Sequence, residues 1–206
     1  MKIEKLPSGF LYVNTYLVSD VDNGKCFIVD PGGYDENMVK RIETNGCVPE
    51  YIILTHGHSD HIGGVNEYKE KYPDIKVVAS KYEVPLLEDP DKNQSKMWTG
   101  VAVAITPDIT VDEGDTLDVG DIHLTFTMTP GHTPGGMCII TDGVVFSGDT
   151  LFYTSIGRTD FKGGSYEDLV KSVREKLFVL PDDTRVLPGH MQETTIGFEK
   201  EHNPFV

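Results

Sequence analysis

The chain has 206 residues, 38% of them apolar, with 18 Lys+Arg against 33 Asp+Glu and a formal net charge of -15. That acidity argues against non-specific binding to nucleic acid or to an anionic membrane, both of which call for a basic face. The length suits one α/β domain spanning residues 1–206, and no run is long and apolar enough to be a transmembrane helix.

Met1 to Lys5 contain no apolar h-region, so no secretory signal is expected. Cys26, Cys47 and Cys138 are odd in number and far apart, which fits buried thiols in a reducing, cytoplasmic setting. Residues 10–18 alternate loosely, with Leu11, Val13 and Leu17 among polar side chains, and read as a strand. Asp22-Asn23-Gly24 signals a hairpin. The return strand, residues 25–29, ends at Asp30-Pro31-Gly32-Gly33. Met38, Val39 and Ile42 fall at helical spacing over residues 35–44, closed by Asn45-Gly46.

Residues 50–54 form a buried, β-branched strand. It runs into Thr55-His56-Gly57-His58-Ser59-Asp60-His61-Ile62-Gly63-Gly64. A helix is expected over residues 62–72, stopped before Pro73, and then a strand over 75–79. Residues 81–88 read as a helix. Residues 90–99, which hold the only tryptophan, Trp98, fit either a flap or an ordinary surface connection.

Residues 121–129 alternate as a half-buried antiparallel strand and end in Pro130-Gly131-His132-Thr133-Pro134-Gly135-Gly136. Residues 137–141 and 144–147 form a hairpin across Asp142-Gly143 and lead to Gly148-Asp149-Thr150. A helix over residues 165–178 is capped by Ser165, with Asp168 three on and Leu169, Val173 and Leu177 on one face. A short strand, residues 185–187, ends in Pro188-Gly189-His190, and a helix is expected in the tail to about Glu201. This twice-run rhythm of strands, ligand loop and helix predicts two sheets back to back with helices outside.

Four loops thus share one signature. Each follows an apolar strand, contains glycine and offers metal-type ligands: His56, His58, Asp60 and His61, then His132, Asp149 and His190. Imidazole nitrogen and carboxylate oxygen are what a borderline cation such as Zn²⁺ takes. His56 and His58, two apart on an extended strand end, point the same way. Asp60 and His61 are adjacent and could serve two ions. Five histidines and two aspartates suffice for two cations, with Asp149 the natural bridge.

The series THGHSDHIGG, PGHTPGG, FSGDTLF, IGRTD and LPGH resembles the motifs of the metallo-β-lactamase fold superfamily, and within it the short glyoxalase II-like hydrolases. The resemblance runs from about Phe10 to the C-terminus. It implies an αββα sandwich of two mixed β-sheets with a dinuclear site on one edge. It assigns His56, His58 and His132 to one ion and Asp60, His61 and His190 to the other, with Asp149 bridging; Zn is expected first, with Fe or Mn as alternatives. Asp60 and Asp149 are then catalytic, orienting an attacking water made acidic by the ions. The substrate would be a small-molecule thioester of the S-lactoylglutathione type, whose thiolate leaves without a strong acid. Arg158 could pair with a substrate carboxylate or with an internal acid, and Tyr153 and Lys162 are further candidate substrate contacts.

Two departures stand out. Gly57 occupies a position where full-length glyoxalase II enzymes carry histidine, and a C-terminal helical domain for glutathione is not expected after His190. Persulfide dioxygenases share the fold and a stretch like Gly157-Arg158-Thr159-Asp160-Phe161. They would use one Fe(II) on His56, His132 and Asp149, a set suited to O₂ chemistry, but tend to have alanine where this chain has Gly189. Hydrolases of other esters, β-lactams or phosphodiesters, flavodiiron proteins and a non-enzymatic metal-binding module are the remaining readings. The last should have lost ligands, and all seven are present.

Overall fold

A computed structural model describes the whole chain, residues 1–206. The first sheet takes β1 (Lys2–Ser8), β2 (Val13–Asp20), β3 (Lys25–Val29), β4 (Val48–Leu54), β5 (Lys76–Ser80) and β6 (Ile109–Val111), side by side in that order. β1, β2 and β3 pair antiparallel, and β3 to β6 pair parallel. The second sheet takes β7 (Thr116–Val119), β8 (Ile122–Met128), β9 (Met137–Thr141) and β10 (Val144–Gly148) as an antiparallel run. β11 (Leu151–Phe152) and β12 (Ser155–Ile156) form a separate two-stranded ribbon. β13 (Arg185–Pro188) then pairs parallel to β10, and β14 (Thr194–Thr195) closes the edge.

Period-two alternation gives each central strand two apolar faces. In β3, Phe27 and Val29 enter the layer between the sheets, where they meet Phe126 and Phe146 of the second sheet. Cys26 and Ile28 face the other way. There they pack against Met38, Val39 and Ile42 of α1 (Glu36–Asn45) and Val65 and Tyr68 of α3 (Val65–Lys71). The second sheet's outer face buries Cys138, Val145 and Val186 under Val173, Leu177 and Ile196. Val173 and Leu177 belong to the π-helical continuation, Val173–Leu177, of α6 (Tyr166–Ser172), and Ile196 belongs to α7 (Ile196–His202). Each fully buried large apolar side chain contributes about 1.5–3 kcal/mol, so both sheet faces hold the two layers and their helices together. The result is an αββα sandwich of two mixed sheets. All three cysteines are buried free thiols, and no helix is long and apolar enough to cross a membrane.

Three expectations change. Residues 10–12 are not strand: Gly9 (φ 73°) and Tyr12 (φ 53°) turn the chain there, and β1 precedes them. The helix expected over residues 62–72 is two pieces, α2 (Ser59–Ile62) and α3, separated by Gly63 and Gly64. A Cβ at Gly64 would stand 2.5 Å from the carbonyl carbon of Gly33, so two backbones touch there. Only Val84–Leu87, here α4, is helical within residues 81–88. Residues 90–99 end in α5 (Ser95–Thr99), which leans on α2.

Candidate metal centre

β8, β10 and β13 run the same way through the second sheet, so His132, Asp149 and His190 leave it at one edge. β4 of the first sheet delivers His56 and His58 to that edge, and α2 adds Asp60 and His61. The seven side chains converge. Ligand-type atoms of His56, His58 and His132 lie within 4.8 Å of one another, as do those of Asp60, His61 and His190, and those of His56, His61 and Asp149. Asp149 stands between the first two groups. Its Oδ1 is 3.3 Å from His61 Nε2, and its Oδ2 is 3.6 Å from His132 Nε2 and 3.8 Å from His190 Nε2. Asp60 and His61 share the group with His190, carried there by a helical turn rather than a strand, and His61 also stands in the group with His56 and Asp149. Asp60 Oδ2 is 3.1 Å from His190 Nε2 and 3.7 Å from His61 Nε2.

The rings are aimed from behind. Asp30, in a left-handed conformation (φ 48°) at the end of β3, accepts from His61 Nδ1 at 2.9 Å. It also accepts from the Thr55 N–H at 2.8 Å and from Thr55 Oγ1 at 2.6 Å. The Arg158 carbonyl accepts from His132 Nδ1 at 2.7 Å. With Nδ1 held from behind, Nε2 is the atom of each ring that faces the cluster.

A cation fits these groups. Nε2 of His56, Nε2 of His61 and Oδ1 of Asp149 are buried without any hydrogen-bond partner, an arrangement that is costly unless something charged completes it. His58 Nδ1 and His132 Nε2 sit 2.8 Å apart, two ring nitrogens aimed at one point. Protonation states already suit ligands. Burial pushes His58 down to about 3, with His132 adding to the shift, and burial likewise holds His56 well below its usual value. Burial opposes ionisation of Asp149 and Asp60, but His61 and its neighbours outweigh it and keep both carboxyls below the usual range. His61 is the exception. Burial disfavours its charge, yet Asp149, Asp60 and Asp30 raise it well above normal, so a cation taking its Nε2 would displace a proton.

Two further acids serve this centre, and the sequence alone did not single them out. Asp30 read only as the end of a strand. Glu83, in the segment before α4, lies 1% exposed between two ligand loops. The Gly57 N–H donates to its Oε1 at 2.9 Å and Thr133 Oγ1 to its Oε2 at 3.1 Å. Burial raises its pKa against the lowering by those bonds. Glu83→Ala leaves both donors unpartnered inside the protein, at about 1–3 kcal/mol each. The expected result is a melting temperature roughly 5–15 °C lower, with Glu83→Gln nearer wild type. An unchanged melting curve for the alanine variant would remove Glu83 from this role.

The candidate substrate residues divide. Arg158 lines the cavity above the ligands, but its guanidinium donates to both carboxylate oxygens of Asp160 at 2.7 Å and lies 4.0 Å from the Phe161 ring centre. Lys162 lines an adjoining chamber. Tyr153 stacks on Phe198 of α7 (5.2 Å) and is not among the lining residues. At Gly57 a Cβ would meet Leu87 Cδ2 at 3.0 Å, so the residues of α4 fill the room a larger side chain there would use.

A family model described as the metallo-beta-lactamase superfamily matches residues 8–190. A probable metallo-hydrolase, YqgX of Bacillus subtilis, is 41% identical over all of this chain and 98% of its own length. The hydroxyacylglutathione hydrolase GloC of Haemophilus influenzae is 36% identical over 100% of this chain and 98% of its own. Among solved structures, the BLEG-1 B3 metallo-beta-lactamase superposes with a TM-score of 0.91 at 36% identity, covering 99% of each chain. TTHA1623 in a di-iron-bound form superposes with a TM-score of 0.86 at 34% identity, covering 98% of this chain and all of the other.

Proposed function

The chain belongs to the metallo-β-lactamase superfamily, and we propose that within it this protein is a dinuclear metal-dependent hydrolase of thioesters. One observation carries the reading: seven ligand-type side chains form two linked groups, with buried polar atoms that lack a partner, at the floor of a cavity of about 410 Å³. His56, His58 and His132 would hold one divalent ion, Asp60, His61 and His190 the other, and Asp149 would touch both. Zn, Fe and Mn all suit such nitrogen and oxygen donors, and the di-iron form of TTHA1623 supports two ions. Bound there, the ions would supply an acidified water and a Lewis acid for the acyl carbonyl.

The chain's own groups do the rest. Asp60 and Asp149 are ionised, point into the cavity floor, and orient the attacking water. Asp60 Oδ2, already bonded to His190 Nε2, is placed to take its proton. Asp30, through His61, and the Arg158 carbonyl, through His132, hold the rings so that little reorganisation is needed. The likeness to GloC supports a thioester of the S-lactoylglutathione type as the reference substrate, and three free thiols support a reducing compartment.

Metal content per chain, on protein purified without chelator, is the test. Two equivalents, with hydrolysis of S-lactoylglutathione that chelator abolishes, are expected. One tightly held iron, with oxygen uptake on a persulfide, would replace this reading by the dioxygenase. Hydrolysis of a β-lactam alone would replace the substrate.

A further inference from the structure

The cavity above the ligands has a wall that a small, charged thioester does not need. Phe10, Leu11, Trp98, Phe152, Ile156 and Met191 line it. Leu11, Trp98 and Met191 are more than half exposed (51%, 54% and 55%) although each is a large apolar side chain. Apolar groups left in water beside a catalytic floor mark a surface that something apolar covers.

The backbone holds them there under strain. Five residues other than glycine have positive φ, and two of them, Gln94 (68°) and Met191 (69°), line this cavity, while Tyr12 (53°) directly follows Leu11. Such conformations are costly for residues other than glycine and persist where the fold enforces them. Gln94 Oε1 accepts from Trp98 Nε1 at 2.8 Å, which fixes the indole over the opening.

Charge points the same way. The one Lys or Arg lining the cavity is Arg158, and Asp160 holds its guanidinium in a two-pronged ion pair. Lys162 and Lys92 line the adjoining chamber rather than this cavity, in company with Glu83, Asp89 and Asp91, and Lys92 pairs with Asp89 at 3.1 Å. A tripeptide thiol with two carboxylates therefore meets no free cation among the residues that line this cavity, on a chain already at -15.

We propose that this wall takes an uncharged, apolar limb of the substrate, so that the protein prefers thioesters with an apolar chain over S-lactoylglutathione. The inference rests on the thioester reading. The limb could be the acyl group or the thiol, and the two are separated by two substrate series on metal-loaded protein. The first lengthens the acyl group from acetyl to hexanoyl on N-acetylcysteamine. The second keeps lactoyl and changes the thiol from glutathione to N-acetylcysteamine to hexanethiol. In one series kcat/KM is expected to rise at least about tenfold with apolar length, and the series that rises identifies the limb. Leu11→Ser is expected to cut that gain several-fold. Trp98, the only tryptophan, gives a readout independent of turnover. Its emission should shift to the blue as S-hexyl-N-acetylcysteamine, a thioether that cannot be hydrolysed, is titrated in, and not with S-methylglutathione. Flat series with S-lactoylglutathione ahead and an unmoved emission would overturn the inference and leave thioester hydrolysis standing. Hydrolysis of no thioester by protein carrying two metals would overturn both.

Discussion

Asp60→Ala is expected to lower thioester hydrolysis by roughly 10²–10⁴-fold while the fold survives. Asp60 is 8% exposed, and its Oδ2 is 3.1 Å from His190 Nε2 and 3.7 Å from His61 Nε2. Burial alone would favour its neutral form, but His61 and His190 keep it ionised. Its removal takes away one member of the Asp60, His61 and His190 group and the acid placed to accept the water's proton. The structural cost is small. Asp60 sits on the four-residue α2, whose core contact is Ile62, at 0% exposure, and its loss sets the attraction of His61 and His190 against relief of burial and of like-charge repulsion with Asp149. Chelator-treated variant and wild type should therefore unfold within about 1 kcal/mol of each other, read by circular dichroism. His58→Ala tests the other group in the same way. Wild-type turnover in either variant would remove the assignment of both groups as ion holders.

The ligand loops were legible because strand ends are. An apolar run followed by glycine and a metal-type side chain recurs four times, and the sandwich brings all four runs to one edge. The parts that support those ligands were not. Asp30 stands 25 residues from Thr55 and 31 from His61, and Asp30-Pro31-Gly32-Gly33 looks like any turn until β3 and β4 are seen to pair. Glu83 lies in a helix-like stretch, and only the approach of Gly57 and Thr133 gives its buried carboxylate a purpose. Phe10 and Leu11 fitted an alternating strand. The positive φ of Gly9 and Tyr12 instead makes them a turn at the cavity mouth. Periodicity reports which face of an element is apolar. It does not report that a strand has yielded to a turn, nor which distant backbone donors a buried acid will meet.

Gly189→Ala is expected to reduce the metal content from two ions to one and to lower thioester hydrolysis by at least about 10²-fold. A Cβ at this position would stand 2.5 Å from Asp149 Oδ1 and 2.6 Å from His61 Cε1, distances at which something must move. The backbone is not free to do so. The Gly189 N–H donates to Gly148 O at 2.8 Å, and its carbonyl accepts from Asn14 N–H at 2.7 Å. His61 is fully buried and held by Asp30 from behind. The methyl group therefore displaces Asp149, the carboxylate standing between the two groups, or twists His61 out of the second. His56, His58 and His132 lie on other loops and keep their geometry, so one ion remains. Overpacking of this kind costs about 1–3 kcal/mol, a loss visible as a lower melting temperature without loss of the fold. Metal analysis and turnover on the same preparation decide the matter. Two ions and full activity would mean that the loop yields and that glycine here is not what makes room for the second ion. One ion would tie the choice between one-metal and two-metal chemistry on this scaffold to a single methyl group beside Asp149.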